Sequence, residues 1–526
     1  MRYRRRGMIL VLVLVVIALL ALAAGSFSHL MVAERKAANA AGRQAQARAS
    51  AESGVEMVRQ FIVQTTDFQD QLGGWYDNER QFRGRMVVSN QQGPDVARFT
   101  IVAPRVDYGV VQGIRYGLED ESTRLNLNAL IAIEKKAPGT GRQMLMGLPG
   151  MTDDIADSIL DWMDQDEEPR EFGAESEYYA GFGYAPKNGP LESIEELLLV
   201  RGIRDNPWLL FGSDTNRNVL PDVGEPDSQS IEGVDNSDGS MNRGWAAYLT
   251  LYSLESNLNP DGQPKIDLNQ SDMQQLYDQL QEAVGQEWAT FIVAYRLGDD
   301  AGDNEPVNAG TQVDLDFSQQ PKRSLSSVLD LIGKNVKLTP TNNNAGNASG
   351  GGGQQGGNIP PTILKNPFSS DAGSMDSYLP TLMDYLTAGS PSPLAGRINI
   401  NQAPRAMLKV IPGMTDEIVD AIIGARDPNP TLAVPSRRHE TWILSEGLVT
   451  LEQMKTLMPF ITAGGSVYRA QVIGYSDLGG PAVRIETVLD ATTTPAKIVF
   501  WRDISNLGQG YPLETLGVGA NSGTTY

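Results

Sequence analysis

LMGLPGMTDDIADSILDWMD (145–164) returns near the other end of the chain as LKVIPGMTDEIVDAIIGARD (408–427). Both copies predict a helix, a tight Pro-Gly turn and a second helix, with Pro149, Gly150 and Thr152 in one and Pro412, Gly413 and Thr415 in the other. Hairpins that grip DNA present the N–H groups of a helix N-terminus to a phosphate, with a second glycine and a nearby Lys or Arg. Here threonine replaces the second glycine, and the helix opens with Asp153-Asp154 or Asp416-Glu417. Those carboxylates occupy the positive end of the helix dipole and would repel a phosphate. Thr152 and Thr415 are expected to be N-caps. Ile155 and Ile159, like Ile418 and Ile422, form an apolar i, i+4 stripe for packing. Both hairpins are therefore expected to be structural, and nucleic acid is not an expected partner.

Working outward, each hairpin follows a short motif, RLNLNAL (124–130) or RININQAP (397–404), and a third copy, KIDLNQSD (265–272), precedes a helical stretch without the hairpin. Each unit closes with a second helical segment, LESIEELLLVRGI, RSLSSVLDLIG or VTLEQMKTLMPF, so duplication is inferred. Capping boxes are expected at Ser193/Glu196 and Thr450/Gln453, which would make those closing helices rigid. Outside the repeats, RMVVSN, ARFTIVAPRVDYGVVQ and IRYGLEDES on one side and SVYRAQVIGYS, AVRIETVLDA and KIVFWRDI on the other alternate as strands do. Strands at both ends with helices between predict an α+β chain, one sheet domain interrupted by a large helical insertion with helix-hairpin-helix repeats. The expected divisions are 1–7, 8–62 (a long helix), 63–122 (strands), 123–396 (the insertion), 397–462 (the second hairpin unit) and 463–526 (strands and tail). An Asn/Gly-rich linker is expected over 341–358, and 205–244 is a long acidic loop rich in turn residues.

The N-terminus reads MRYRRRG and then an apolar run with no charge from Met8 to Ala33. The run is long enough to cross a bilayer, and the arginines ahead of it predict a cytoplasmic N-terminus with the bulk of the chain outside. Helix formers continue beyond the span and no proline occurs before Pro94, so the helix is expected to run on past the membrane. Ala33, Ala37, Ala41, Ala45 and Ala49 would keep it thin for close packing, or serve helicity alone. The 526-residue chain has a net charge of −21, which repels polyanions and attracts cations. It has no cysteine and two histidines, His29 and His439, and no catalytic constellation, so an enzyme is the least expected class.

Two acidic stretches have the composition of calcium sites. DWMDQDEEPREFGAESEYY carries Asp161, Asp164, Asp166, Glu168 and Glu175, which repel each other unless solvated or bridged by a hard cation. Asp214, Asn216, Asn218, Asp222 and Glu225 fall at positions 1, 3, 5, 9 and 12 of a twelve-residue loop, as EF-hand-type loops require. Position 6 is Val219 where such loops have glycine.

DSILDWMDQDEEPREFGAESEYY, YAPKNGPLESIEELLLVRGI, RININQAP with the second hairpin, and YRAQVIGY with KIVFWRDI together resemble the general secretion pathway protein K family, the large minor pseudopilins of type II secretion. The resemblance covers 1–203 and 397–505. It implies a pilin-like long helix on an antiparallel sheet with a helical insertion, and calcium in the globular domain. It also implies a leader cut between Gly7 and Met8 by prepilin peptidase, with methylation of the new N-terminus. Ordinary pseudopilins carry Glu at the fifth mature position; this chain has Leu12, and lack of that Glu is typical of the K subunit at the filament tip. The implied function is to initiate and cap a pseudopilus for export across the outer membrane. The implied partners are the I, J and H minor pseudopilins, the major pseudopilin and inner-membrane lipid. The alternatives are a tip pilin of a type IV pilus or DNA-uptake pseudopilus, and a membrane-anchored DNA-binding protein using its hairpins.

Overall fold

The computed structural model describes residues 6–89, 96–222, 224–226, 241–301, 306–307, 313, 315–339, 361–390, 392–427, 429–430 and 434–519. Residues 1–5 of the expected leader, the expected 341–358 linker and most of the second half of the acidic loop lie outside the described residues.

One helix runs from Arg6 to Phe61, and its first part has a mean hydropathy of 3.0. Apolar side chains from Ile9 to Val32 are exposed, so this half has no packing partner among the described residues. The second half packs on the sheet through Ala47, Ala51, Val55, Val58 and Phe61, whose spacing of three and four residues makes one face. The approach is close because the contact is built of small residues. A Cβ on Gly474 would lie 2.0 Å from the Ala47 carbonyl oxygen, and one on Gly54 would lie 2.6 Å from Val472. Ala33, Ala37, Ala41, Ala45 and Ala49 are exposed, off that face.

The sheet is antiparallel in the order Arg85–Ser89, Val96–Asp107, Val467–Ser476, Val483–Asp490, Lys497–Asp503. Its centre joins the two ends of the chain: Val472 is opposite Ile101 on one side and Ile485 on the other. Val110–Arg115 and Glu119–Asp120 add short pairings to the strands 96–107 and 467–476. The described residues between Asp120 and Val467 form the insertion, with its own large core.

The three repeat motifs do the same thing in space. Leu125–Asn126, Ile266–Asp267 and Ile398–Asn399 each pair, in parallel, with a two-residue strand at the end of their own unit, at Leu249–Thr250, Leu386–Thr387 and Ile461–Thr462. The asparagine at the fifth position of each motif then ties down a later segment of that unit. Asn128 bonds both backbone groups of Leu191, and Asn269 bonds those of Leu325. Asn401 donates to the Arg437 carbonyl. The middle helical stretch is two helices, Met273–Val284 and Gln286–Leu297, broken at Gly285, which takes a φ of +88°.

Two closing segments differ from expectation. Ile194–Leu199 and Val328–Leu331 are 3-10 turns, and Leu451–Leu457 is α-helical. Capping boxes at Ser193/Glu196 and Thr450/Gln453 are present, with another at Ser327/Asp330. A cap fixes how a turn starts; it does not supply the further i→i−4 bonds that would extend it. On the sheet face opposite the long helix, Arg469 bonds Glu121 and Glu486, each at 2.5 Å, beneath the insertion.

Candidate cation site and hairpins

In the first hairpin, Thr140–Met146 and Asp153–Met163 are helical, and Gly150 turns the chain with a φ of +68°. In the second, the helices are Arg405–Lys409 and Asp416–Ala425, with Gly413 at +82°. The acids that open each second helix are held by bases of the helix before it. Arg142 bonds Asp153 at 2.5 Å and Asp157 at 2.6 Å. Arg405 pairs with Asp420, and Lys409 with Asp416 at 2.6 Å, which lowers the Asp416 pKa. Neither turn is free: the Pro149 carbonyl accepts from the Trp245 indole at 2.8 Å, and Gly413 lies against Thr456 and Leu457. Thr415 caps its helix by accepting from Ile418 N–H at 3.4 Å. Thr152 does not cap by its side chain; its hydroxyl bonds Asp154 at 2.6 Å instead.

Of the first acidic set, the structure gathers three members. Asp161 lies in the last turn of the helix, Asp164 follows its end, and Glu175 precedes the short helix Ser176–Ala180. One oxygen from each lies within 4.8 Å of the others. Asp166 and Glu168 are exposed on the intervening loop and stand outside the cluster, with Asp166 accepting the Glu168 N–H. Glu175 is 5% exposed, and neither of its carboxylate oxygens has a hydrogen-bond partner. Burial, then the charges of Asp161 and Asp164, push its pKa up to about 8. Burial also raises Asp161 and Asp164, against the lowering effect of Arg170. Sequence reasoning missed two residues here. Arg170 bridges Asp161 and Asp164, and Gly173 packs so tightly that a Cβ would stand 1.8 Å from Asp161 Oδ2. The glycine within the acidic run was the available signal. Two buried carboxylates and a half-buried one, with Glu175 lacking any hydrogen-bond partner, are the donor set and charge a calcium ion takes.

The second set also comes together. Asp214 accepts from Asn218 and Val219 N–H at 3.0 Å each, and Glu225 accepts from Thr215, Asn216 and Asp222. Asp222 accepts the side-chain amides of Asn216 and Asn218 at 2.7 and 2.6 Å. Val219 adopts the left-handed turn at φ +68° despite its branched side chain, and Arg217 does so at +56°. The helix before the loop is only Trp208–Phe211. Backbone carbonyls of Asn216 and Arg217 are bound by Arg484 of the sheet, so the loop is docked on the sheet. Beside it a cavity of about 620 Å³ separates insertion and sheet, walled by Trp208, Phe211 and Phe500 and crossed by paired arginines and acids. Its walls come from distant parts of the chain, so sequence reading could not find it.

Residues 123–208, which contain the first hairpin and the three-carboxylate cluster, match the family model for "Type II secretion system (T2SS), protein K". Type II secretion system protein K of Pseudomonas aeruginosa is 33% identical over 97 residues, which is 17% of this chain and 29% of that relative. The match thus spans less than a third of the relative. The crystal structure of the GspK-GspI-GspJ complex from the enterotoxigenic Escherichia coli type 2 secretion system aligns over 89% of this chain and 99% of that one. Its TM-score is 0.30 at 11% identity. The family-model similarity to protein K of type II secretion thus lies within the first part of the insertion.

Proposed function

We propose that this chain is a minor pseudopilin at the tip of a type II secretion pseudopilus, where it initiates and caps assembly for protein export across the outer membrane. The observation that carries this is the division of the Arg6–Phe61 helix: an apolar half with no partner among the described residues and a half packed on the sheet. The free half would lie in the inner membrane and then within the filament, N-terminus in the cytoplasm and globular part in the periplasm. Leu12 suits a first subunit, because a carboxylate in the bilayer without a partner amine is costly. The insertion, with its hairpin repeats as scaffold, would stand above the sheet and leave no place for a further subunit. The other minor pseudopilins of the I, J and H types and the major pseudopilin would be its partners.

Asp161, Asp164 and Glu175 would hold a calcium ion, which would supply the positive charge their burial lacks. Asp214, Asn216, Asn218, Asp222 and Glu225 are offered as a second calcium loop; the left-handed turn at Val219 supports it.

The test is the N-terminal mass of the mature protein from membranes, with and without active prepilin peptidase. A chain starting at N-methylated Met8 only when the peptidase is active is the expected result. An unprocessed N-terminus in both samples would overturn the pseudopilin proposal.

A further inference from the structure

The three-carboxylate cluster already holds a cation of the protein's own. Arg170 Nη1 stands 2.5 Å from Asp161 Oδ1 and 2.5 Å from Asp164 Oδ2. Calcium holds carboxylate oxygens at about 2.3–2.6 Å. The third carboxylate, Glu175, receives nothing: both its oxygens are buried without a hydrogen-bond partner, beside the two that Arg170 serves. One singly charged nitrogen cannot satisfy three carboxylates, whereas a divalent ion that takes six to eight oxygens can.

We propose that Arg170 is an internal placeholder which a divalent cation such as calcium must displace, and that this competition sets the affinity of the site. This rests on the calcium site proposed above at Asp161, Asp164 and Glu175. The guanidinium and the ion cannot share the position, since like charges in contact repel strongly where water is scarce. The side chain has a way out, being 26% exposed at the mouth of the cluster. Its backbone need not follow. Arg170 N–H donates to Asp161 Oδ2 at 3.2 Å, and its carbonyl accepts from Gly173 N–H at 3.1 Å, so the loop is held whichever way the guanidinium points. Gly173 also packs closely against the Asp161 carboxylate. The exposed Asp166 and Glu168 acquire a role different from that of ligands: they are the nearby acids of the same loop to which a displaced guanidinium can turn.

The experiment is calcium titration calorimetry on the full chain in detergent micelles, comparing the unaltered protein with Arg170→Gln, Arg170→Lys and Asp161→Asn. Any binding at the 214–225 loop is common to all four and serves as the baseline. Arg170→Gln is expected to tighten one site about tenfold or more, Arg170→Lys to fall between, and Asp161→Asn to abolish that site. Unchanged or weaker affinity in Arg170→Gln, with the site still lost in Asp161→Asn, would overturn the placeholder and leave the calcium site standing. Identical isotherms for the unaltered protein, Arg170→Gln and Asp161→Asn would overturn both. Arg170→Lys keeps the charge without the planar fork and decides the matter by itself if Arg170→Gln fails to fold.

Discussion

The hairpins at 145–164 and 408–427 align without a gap, so that Arg142, Asp153 and Asp157 of the first fall on Arg405, Asp416 and Asp420 of the second. The aligned bases and acids pair within each hairpin, although Lys409 takes Asp416 where Arg142 alone serves both acids. The hairpins part at one later position. Asp161 of the first falls on Gly424 of the second, and Asp164 falls on Asp427, which pairs with Arg437 at 3.4 Å. One hairpin therefore leads into a buried carboxylate cluster, and the other leads into an ordinary ion pair. A shared scaffold thus says little about whether a site has been built on it; the side chain one turn from the helix end decides that.

Gly173→Ala should widen the difference most. The added methyl would stand 1.8 Å from Asp161 Oδ2, with the Arg170 backbone N at 3.2 Å on another side. Overpacking of this kind costs about 3 kcal/mol, read as a lowered denaturation midpoint, and calcium binding at the cluster should go with it. An unchanged midpoint would mean that the loop 165–174 moves freely against the helix.

Next in size is the matched pair Arg142→Ala and Arg405→Ala. The Asp157 side chain is only 3% exposed, and losing Arg142 leaves it with the Phe172 N–H alone, at a cost of about 2 kcal/mol. Asp420 is 60% exposed, so water replaces Arg405 at a cost of about 0.5 kcal/mol or less. Equal losses in urea denaturation would show that burial does not separate the two hairpins.

Acid should act on the first unit's attachment to the sheet. Glu195, in the closing turn, binds Arg502 of the edge strand, and despite burial its hydrogen bonds and the arginine charge lower its pKa from 4.5 to about 2. A depressed carboxylate stabilises the folded state fully above its unfolded pKa, and the contribution is lost as pH falls from about 4.5 to about 2. The side chain is 31% exposed, so screening leaves about 1 kcal/mol. Glu195→Gln should remove that part of the pH dependence in stability curves between pH 5 and 2; an unchanged slope would refute the assignment.

The ends of the fold were legible in sequence because alternation of apolar and polar residues marks strands even where partners are hundreds of residues apart, as Val472 and Ile101 are. The long helix was legible from its absence of charge. The repeat motif was visible too, but the work of Asn128, Asn269 and Asn401 depends on Leu191, Leu325 and Arg437, which no local pattern connects to them. The site was half legible. Acidic composition pointed to the right loop, yet periodicity cannot say which carboxylates turn inward. Asp161 and Glu175 do so because a helix end and a helix start converge there; Asp166 and Glu168 lie on the loop between and meet solvent.

The smallest expected effect comes from the two threonines, which the shared Met-Thr-Asp motif makes look equivalent. Thr415 gives its hydroxyl oxygen to Ile418 N–H, whereas the Thr152 hydroxyl is turned to Asp154 and leaves the helix N–H groups to other partners. Thr415→Ala should therefore cost about 0.5–1 kcal/mol, at the lower end for a cap because the bond is long at 3.4 Å. Thr152→Ala removes only an exposed hydroxyl–carboxylate bond and should fall within about 0.5 kcal/mol of zero. Chemical denaturation of the two variants, side by side, checks the ranking. A larger loss at Thr152 would mean that its hydroxyl swings back to cap the helix in solution, and that the two hairpins are more alike than their hydrogen bonds make them here.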